Sequence, residues 1–188
     1  MASFNENQLY GSAGHFADNV DFEVQRTNHF EVVLDLSKIL PDDPGASEHI
    51  RLSTKSFGTP KVSAEAIELK HGNDKVKVAS APTFEDLQLS VHDTLGKDQV
   101  ALMQSWFNKV FNRETKLMGR VSAYKTNGIL YMYAPDGSVI RKWDLQGVWI
   151  KSFGMSTEFS FDSSEAMAIT VELSVDRYFE DTSVNNIN

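Results

Sequence analysis

Residues 168–177 have the sequence Ala-Ile-Thr-Val-Glu-Leu-Ser-Val-Asp-Arg, in which an aliphatic side chain occupies every odd position from 169 to 175. The even positions from 170 to 176 carry threonine, glutamate, serine and aspartate. Alternation with a period of two residues predicts a β-strand that buries one face and exposes the other to water. A protein built around two-faced strands is therefore expected.

The same alternation predicts strands at residues 29–36, 49–57, 75–80 and 84–92. In the strand at 75–80, Val76 and Val78 are expected to face the interior. A hairpin is predicted to join 128–134 to 139–150, because Pro-Asp-Gly-Ser at 135–138 favours a tight turn.

Helical spacing occurs clearly in one stretch, residues 97–112. There, apolar side chains recur at Val100, Met103, Phe107, Val110 and Phe111. We expect this one helix to cover one face of a sheet. Residues 37–48 are rich in turn formers and predict a connection. The three tryptophans are expected in the core, with Trp143 and Trp149 on the same side of one strand as Leu145, and Trp106 on the helix.

The predicted fold is mainly β with one α-helix, arranged as a β-sandwich or barrel of two packed sheets. A chain of 188 residues with 41% hydrophobic residues favours one globular domain. We expect an N-terminal arm at 1–20, a β domain at 21–181 and a flexible tail at 182–188. No cysteine is present, which excludes disulfides and thiolate metal sites. No apolar run approaches the roughly 18 residues that span a bilayer, so we expect no membrane insertion and folding in a cytosol.

The net charge of −8 argues against tight generic binding to nucleic acid, which depends on lysine and arginine. The charge is uneven: residues 1–36 hold one basic and six acidic side chains, 37–151 hold 16 and 13, and 152–188 hold one and seven. Two interpretations stay open. The pattern is either ordinary surface variation or a basis for contact between copies of the same chain.

Motifs for catalysis, cofactors or metals are missing from the sequence. The five histidines are scattered, and Gly-Ser-Ala-Gly at 11–14 lacks the rest of a phosphate loop. Glu85 and Asp86 are adjacent, so on a strand they point to opposite faces and cannot act as an acid/base pair. We therefore predict no enzyme, no cofactor and no catalytic or metal-binding residue. The one basic cluster comprises Lys61, Lys70, Lys75 and Lys77.

The order of several segments resembles the tail tube proteins of contractile-tailed bacteriophages, over roughly residues 15–181. The segments that carry the resemblance are 27–32 (TNHFEV), 56–60 (SFGTP), 82–91 (PTFEDLQLSV), 104–106 (QSW) and 143–179. Within the last segment, Leu-Gln-Gly-Val-Trp at 145–149 and Asp-Arg-Tyr at 176–178 are the most specific parts.

The resemblance implies a virion protein of the viral tail that assembles as a homohexamer. Rings would stack into a tube inside a contractile sheath, and strands of all subunits would join into a lumen-lining barrel. It also implies a sheath protein, a baseplate or tube initiator, a tail terminator and a tape-measure protein as partners, with assembly in the host bacterial cytoplasm. DNA would pass during ejection without specific binding.

Alternative functions stay open at this point. The fold is also similar to the type VI secretion tube protein, so a tube subunit of a secretion or bacteriocin particle, or a tube initiator, is a neighbouring possibility. A monomeric β-barrel that binds a small ligand belongs to a different class.

The predicted subunit interface comprises Phe57, Pro60, Lys61, Lys70, Lys75 and Lys77. Lysine-rich edges can meet the acidic ends of a neighbouring copy. For Phe57, burial within its own subunit is an equal alternative. If DNA passes through a ring, the polar positions that face its lumen should not carry net positive charge.

Overall fold

In the computed structural model, residues 25–156, 160–162 and 164–181 are described. The expected N-terminal arm at 1–20 and C-terminal tail at 182–188 lie outside these residues, as does the Gly-Ser-Ala-Gly segment. The described elements are β1 (Phe30–Leu34), α1 (Ala46–Ser53), β2 (Thr54–Phe57), β3 (Val62–His71), β4 (Asp74–Phe84), β5 (Leu87–His92), α2 (Gln99–Val110), α3 (Val121–Tyr124), β6 (Thr126–Tyr133), β7 (Val139–Met155), β8 (Ala168–Ser174) and β9 (Arg177–Glu180). No helix among them has the length and apolar character needed to cross a membrane.

Seven strands form one antiparallel sheet. Its order is β1-β6-β7-β8-β5-β2, and β9 also pairs with β7. The 17-residue strand β7 links two halves, because its first part pairs with β6 and β9 and its second part pairs with β8. Buried residues of both halves belong to one hydrophobic cluster. Among the described strands the sheet stays open, with β1 and β2 at its two ends.

Helix α2 packs its apolar side on this sheet. It begins after Asp98, whose carboxylate accepts a hydrogen bond from the Ala101 amide at 2.9 Å, as expected of a helix N-cap. Trp106 is fully buried, and its indole N–H donates to the Tyr124 carbonyl at 3.0 Å. The predicted helix at 97–112 is therefore confirmed. Phe107, one of its predicted apolar residues, packs on Phe153 of β7 with 5.8 Å between the ring centroids.

Most of the predicted strands are confirmed. The strands predicted at 29–36, 75–80, 84–92 and 168–177 correspond to β1, β4, β5 and β8, and the hairpin at 128–150 corresponds to β6 and β7. The turn of that hairpin places Gly137 at a φ of 86°, a conformation that glycine adopts without strain. The chain therefore has the mainly β fold that its alternating pattern predicts.

The strand predicted at 49–57 is wrong for its first half, and with it the prediction of a single helix. Residues 46–53 form α1, in which Ala46, Ile50 and Ser53 are buried at helical spacing. Leu52, which alternation placed beside Ile50, is 72% exposed. A stretch this short fits both the two-residue period of a strand and the 3.6-residue period of a helix. The helix forms because it packs against β1 and β5.

The expected placement of Trp149 beside Leu145 is also wrong. Gly147 has a φ of 68°, and after it the fully buried positions are the even ones, Val148 and Ile150. Trp149 is partly buried, with its ring 5.9 Å from that of Tyr124. A left-handed residue in the middle of the strand shifts the alternation by one position, so odd residues face the core before Gly147 and even residues face it afterwards.

Candidate assembly surface

Strands β3 and β4 form a separate two-stranded sheet, which we call the exposed hairpin (residues 62–84). All residues of β3 and most of β4 are exposed. The two strands pair with each other and with no other described strand. An isolated two-stranded hairpin is only marginally stable in water, so this one is expected to gain stability from further packing.

One face of the exposed hairpin is aliphatic. The register pairs Ile67 with Val78 and Leu69 with Val76, and residues directly opposite each other share a face. These four side chains are 48%, 40%, 51% and 52% exposed, respectively. The expectation that Val76 and Val78 face the interior of the chain is therefore wrong: their pattern is two-faced, but their apolar face is not covered by the described residues.

The other face of the exposed hairpin is charged, and three predicted interface residues lie there. Glu68 lies 3.0 Å from the Lys75 ammonium and 3.9 Å from that of Lys77. Lys70 stands directly opposite Lys75 and forms no ion pair with the residues that the structure describes. Three of the four lysines of the predicted basic cluster therefore share one face, and Glu68 offsets part of their charge.

The base of the exposed hairpin is tied to the main sheet. The Tyr178 hydroxyl donates to the Lys61 carbonyl, and its ring meets that of Phe84 edge-on at 5.0 Å. The ammonium of Lys61 lies 3.0 Å from Glu85, so Lys61 belongs to the base of the hairpin and not to its charged face. Burial raises the pKa of the Tyr178 hydroxyl above its ordinary value. The hairpin is thus held at one end and projects at the other.

Phe57 and Pro60 lie on the segment that leads into the exposed hairpin, and both are half-buried. Phe57 packs against the core and also lines a cleft of about 690 Å³. Phe57 is therefore packed within its own subunit, and its position at a subunit interface stays a prediction. Pro60 does not line that cleft.

The cleft lies between the two ends of the main sheet, β1 and β2, and we call it the edge cleft. Its lining includes several large apolar side chains, namely Phe30, Phe57, Leu130, Met132 and Trp143. In the described sheet β1 pairs only with β6 and β2 only with β5, so each presents one unpaired edge. Unpaired edges can add a strand from another chain.

Two charged groups of the edge cleft, Glu31 and Arg51, form an ion pair with each other. Glu31 accepts a hydrogen bond from the Tyr133 hydroxyl at 2.6 Å and lies 3.1 Å from the Nε of Arg51. Burial, together with this bond to Glu31, raises the pKa of Tyr133 to about 12. Tyr133 therefore stays a neutral donor to Glu31.

A three-way ion pair fixes the strand that follows the exposed hairpin. The Lys151 ammonium lies 2.7 Å from Asp86 and 3.0 Å from Glu172. Burial alone would raise the pKa of Asp86, but hydrogen bonds from Lys151 and Ser174 outweigh it and lower that pKa. Asp86 and Glu85 thus bind separate lysines, Lys151 and Lys61. No group of three potential metal ligands occurs in the part of the chain that the structure describes.

Sequence reasoning missed Ile67 and Leu69, which complete the aliphatic face. The signal was present, because residues 66–70 read Ala-Ile-Glu-Leu-Lys and alternate as the strand at 168–177 does. Val76 and Val78, which lie opposite them, were recognised as an apolar strand face, but that face was expected to pack inside the same chain.

Residues 26–178 match the model of the family described as the T4-like virus tail tube protein gp19. The chain belongs to this family. The match includes the three helices, the exposed hairpin and the main sheet as far as the second residue of β9. The resemblance inferred from the sequence segments is confirmed, and the family implies a structural role.

Three solved structures share the fold. The chain is similar to the tube-terminating cap of the anti-feeding prophage, with a TM-score of 0.63 and 18% identity over 88% of this chain and 96% of that one. It is also similar to a chain of the sheath-tube complex of an extracellular contractile injection system in its extended state, with a TM-score of 0.62 and 15% identity over 92% and 99%. A chain of the 6-fold symmetrised anti-feeding prophage baseplate gives a TM-score of 0.59 at 10% identity over 85% and 97%. No curated protein sequence matches the chain.

Proposed function

We propose that copies of this chain associate into hexameric rings that stack into the tail tube of a contractile phage, the conduit for genome ejection. The observation that carries this proposal is the exposed hairpin, whose aliphatic face has no cover among the described residues of a single chain. Membership of the tail tube family supports it. The 6-fold symmetrised baseplate that contains a chain of similar fold supports six subunits per ring.

The subunit contact has two parts in this proposal. The aliphatic face of the exposed hairpin packs against a neighbouring subunit, and the unpaired edges of the edge cleft add strands from another copy. Phe57 and Pro60 then lie at the contact, and Lys61, Lys70, Lys75 and Lys77 face acidic residues of the neighbour. Closing the sheet across subunits would pair every free edge and form the lumen-lining barrel.

The proposed partners are those of a tube inside a sheath. They are the sheath protein, a baseplate or tube initiator, a tail terminator, and a tape-measure protein in the lumen during assembly in the host bacterial cytoplasm. DNA passes without specific binding, since a lumen without net positive charge gives no counterion-release attraction for phosphate. The formal charge of −8 is compatible with that task.

Electron microscopy of the purified full-length protein tests this function. We expect rings or tubes with a central channel, whose abundance rises with protein concentration. Single particles of one chain at every concentration and salt condition would contradict it and would favour a monomeric ligand-binding protein, with the edge cleft as its pocket.

A tube subunit of a contractile injection particle is the second candidate. It is favoured by the similarity of fold to the injection-system sheath-tube complex and to the prophage cap. The two candidates share one architecture and differ in what passes through the tube. Capsid and DNA-packaging genes beside the gene for this chain would support the phage tail, and toxin genes without a capsid gene would support the injection particle.

A further inference from the structure

A second surface of the chain, on a segment separate in sequence from the exposed hairpin, is basic. We call it the basic knob (residues 109–121), the segment from the end of α2 to the start of α3. Its four basic side chains are all exposed: Lys109, Arg113, Lys116 and Arg120. None of the four forms an ion pair with the described residues. The segment also contains one acid, Glu114, so its net formal charge is +3, in a chain whose net charge is −8.

The basic knob has a fixed backbone. The Asn112 side-chain oxygen accepts hydrogen bonds from the amides of Glu114 at 2.9 Å and Thr115 at 3.1 Å. The Asn112 amide donates to the Leu117 carbonyl at 3.0 Å, and the Gly119 amide donates to the Val110 carbonyl at 2.9 Å. A surface whose backbone is already ordered loses less entropy when a partner binds.

The basic knob also exposes apolar side chains. Leu117 is 68% exposed, Met118 is 71% exposed and Val121 is 56% exposed. Three large apolar residues beside four cations fit a partner that carries both carboxylates and apolar side chains. Such a partner neutralises the charge and covers the apolar area in one contact.

Residues 1–24 of the chain have this chemistry. They contain Glu6, Asp18, Asp21 and Glu23 and no lysine or arginine. Interspersed with these acids are large apolar residues, namely Phe4, Leu9, Tyr10, Phe16, Val20 and Phe22. The segment therefore complements the basic knob in both charge and apolar content.

Gln25, to which residues 1–24 are joined, and the basic knob lie near opposite ends of β6. Gln25, the first described residue, donates from its side-chain amide to the Tyr133 carbonyl at 2.9 Å, at the last residue of that strand. The basic knob leads through α3 into Thr126, its first residue. Eight residues of strand separate the ends by roughly 23 Å. A segment that joins the described chain near one end of a strand, and a complementary surface near the other end, are suited to head-to-tail contact between copies.

We propose that residues 1–24 of one subunit dock on the basic knob of another copy, and that this contact joins successive subunits of the assembly. The inference rests on the proposed function, because it requires that the chain assemble. It adds an interface that is separate from the exposed hairpin and the edge cleft. Its binding energy depends on ion pairs, so the contact weakens as salt concentration rises.

Disulfide trapping tests the contact directly, because the native chain has no cysteine. Full-length Leu117→Cys and full-length Asn19→Cys carry different tags, are mixed under assembly conditions and are oxidised. We expect a disulfide-linked dimer containing both tags. The matched control replaces Leu117→Cys by Leu95→Cys, a fully exposed position in the turn before α2 and so at the other end of that helix from the basic knob. Equal yields from the two mixtures, or no mixed dimer, would overturn the proposal.

A charge exchange identifies the occupant. We expect Lys116→Glu with Arg120→Glu to reduce the pelleted tube fraction about tenfold at low salt, and the added changes Asp21→Lys and Glu23→Lys to restore it. Lys38→Glu with Arg177→Glu, the same charge change at exposed positions elsewhere, should leave assembly at the wild-type level. A loss that the second pair does not restore would show that another partner occupies the basic knob.

The outcomes separate this inference from the proposed function. If the wild-type chain forms neither rings nor tubes, the proposed function fails and the inference fails with it. If the wild-type chain forms tubes and the Lys116 and Arg120 variants form them equally well, the inference alone is wrong. A disulfide formed only within one chain would likewise overturn it, because the segment would then dock on its own subunit.

Discussion

Replacing the aliphatic pair Leu69 and Val76 by threonine should weaken assembly while leaving the single chain folded. The two residues are directly opposite each other in the exposed hairpin, and they are 51% and 52% exposed. Threonine is β-branched, so Leu69→Thr with Val76→Thr preserves the preference for a strand. What changes is the hydrophobicity of one face of the exposed hairpin.

The size of the effect follows from the exposed fractions. Complete burial of a valine or leucine side chain is worth about 1.5–3 kcal/mol, so covering the exposed half contributes about 1 kcal/mol per residue. Losing both contributions costs about 2 kcal/mol per subunit contact, which is a roughly 30-fold weaker association constant. In the single chain these side chains are about half exposed before and after the substitution, so the monomer loses little buried apolar area. Its free energy of unfolding should therefore fall by less than about 1 kcal/mol.

Sedimentation velocity across a concentration series measures this association. The midpoint concentration for assembly should rise roughly 30-fold in the double variant, and its far-ultraviolet circular dichroism should match the wild type. Leu52→Gln with Leu95→Thr is the control, because it removes two exposed apolar side chains outside the hairpin. If the double variant assembles at the wild-type concentration, the aliphatic face is not covered in the assembly and the proposed contact is wrong.

Three further changes test the forces that hold the fold. Asp86→Asn removes the carboxylate bound by Lys151. The pKa of Asp86 is lowered in the fold, so the ionised carboxylate stabilises the folded chain at pH values above the unfolded pKa. This stabilisation is lost as pH falls through the lowered folded pKa. Thermal unfolding should show about 0.5–1 kcal/mol less stability near neutral pH and a smaller loss on acidification. Tyr178→Phe removes the hydroxyl that holds the hairpin base, so hydrogen exchange in the hairpin should quicken and stability fall by about 1 kcal/mol. Gly147→Ala places a Cβ 2.1 Å from an Asp176 oxygen at a φ of 68°. Denaturant unfolding should show a loss of at least about 1 kcal/mol.

Each of these changes has a matched control and an outcome that contradicts it. For Asp86, the control is Asp42→Asn, at an exposed position that forms no ion pair with the described residues. If Asp86→Asn and the wild type lose the same stability as pH falls, the ion-pair account is refuted. For Tyr178, Tyr131→Phe removes a hydroxyl elsewhere, and equal exchange rates in both variants would show that the base is held by packing alone. For Gly147, Gly96→Ala is the control because its added Cβ meets nothing within 4 Å, and equal free energies of unfolding for the two variants would contradict the predicted clash.

The main sheet could be predicted from the sequence because its strands bury one face within a single chain. In β8 the odd residues from Ile169 to Leu173 are buried as their alternation requires. The turn at 135–138 could also be predicted, because proline restricts its own φ and glycine accepts a positive φ without tertiary contacts. Alternation failed where tertiary contacts decided between two short patterns, as at α1, and where the left-handed Gly147 shifted the register of β7.

The candidate site could be predicted only in part. Alternation showed that Val76 and Val78 form the apolar face of a strand, but a period of two residues does not reveal which chain covers that face. The lysines of the opposite face were recognised from their clustering, whereas Lys61 separates from them because Glu85 and Tyr178 hold its segment at the hairpin base. Contacts between copies depend on how two surfaces fit together, and the sequence of one chain does not show which surfaces meet.

The central claim is that the exposed hairpin is completed by a neighbouring subunit in a stacked ring assembly. An electron cryo-microscopy reconstruction of the assembled protein tests it most directly. We expect a hollow tube of hexameric rings in which a neighbouring chain lies against Ile67, Leu69, Val76 and Val78. A tube in which these four side chains face solvent, or a protein that remains a single chain at every concentration, would contradict the account.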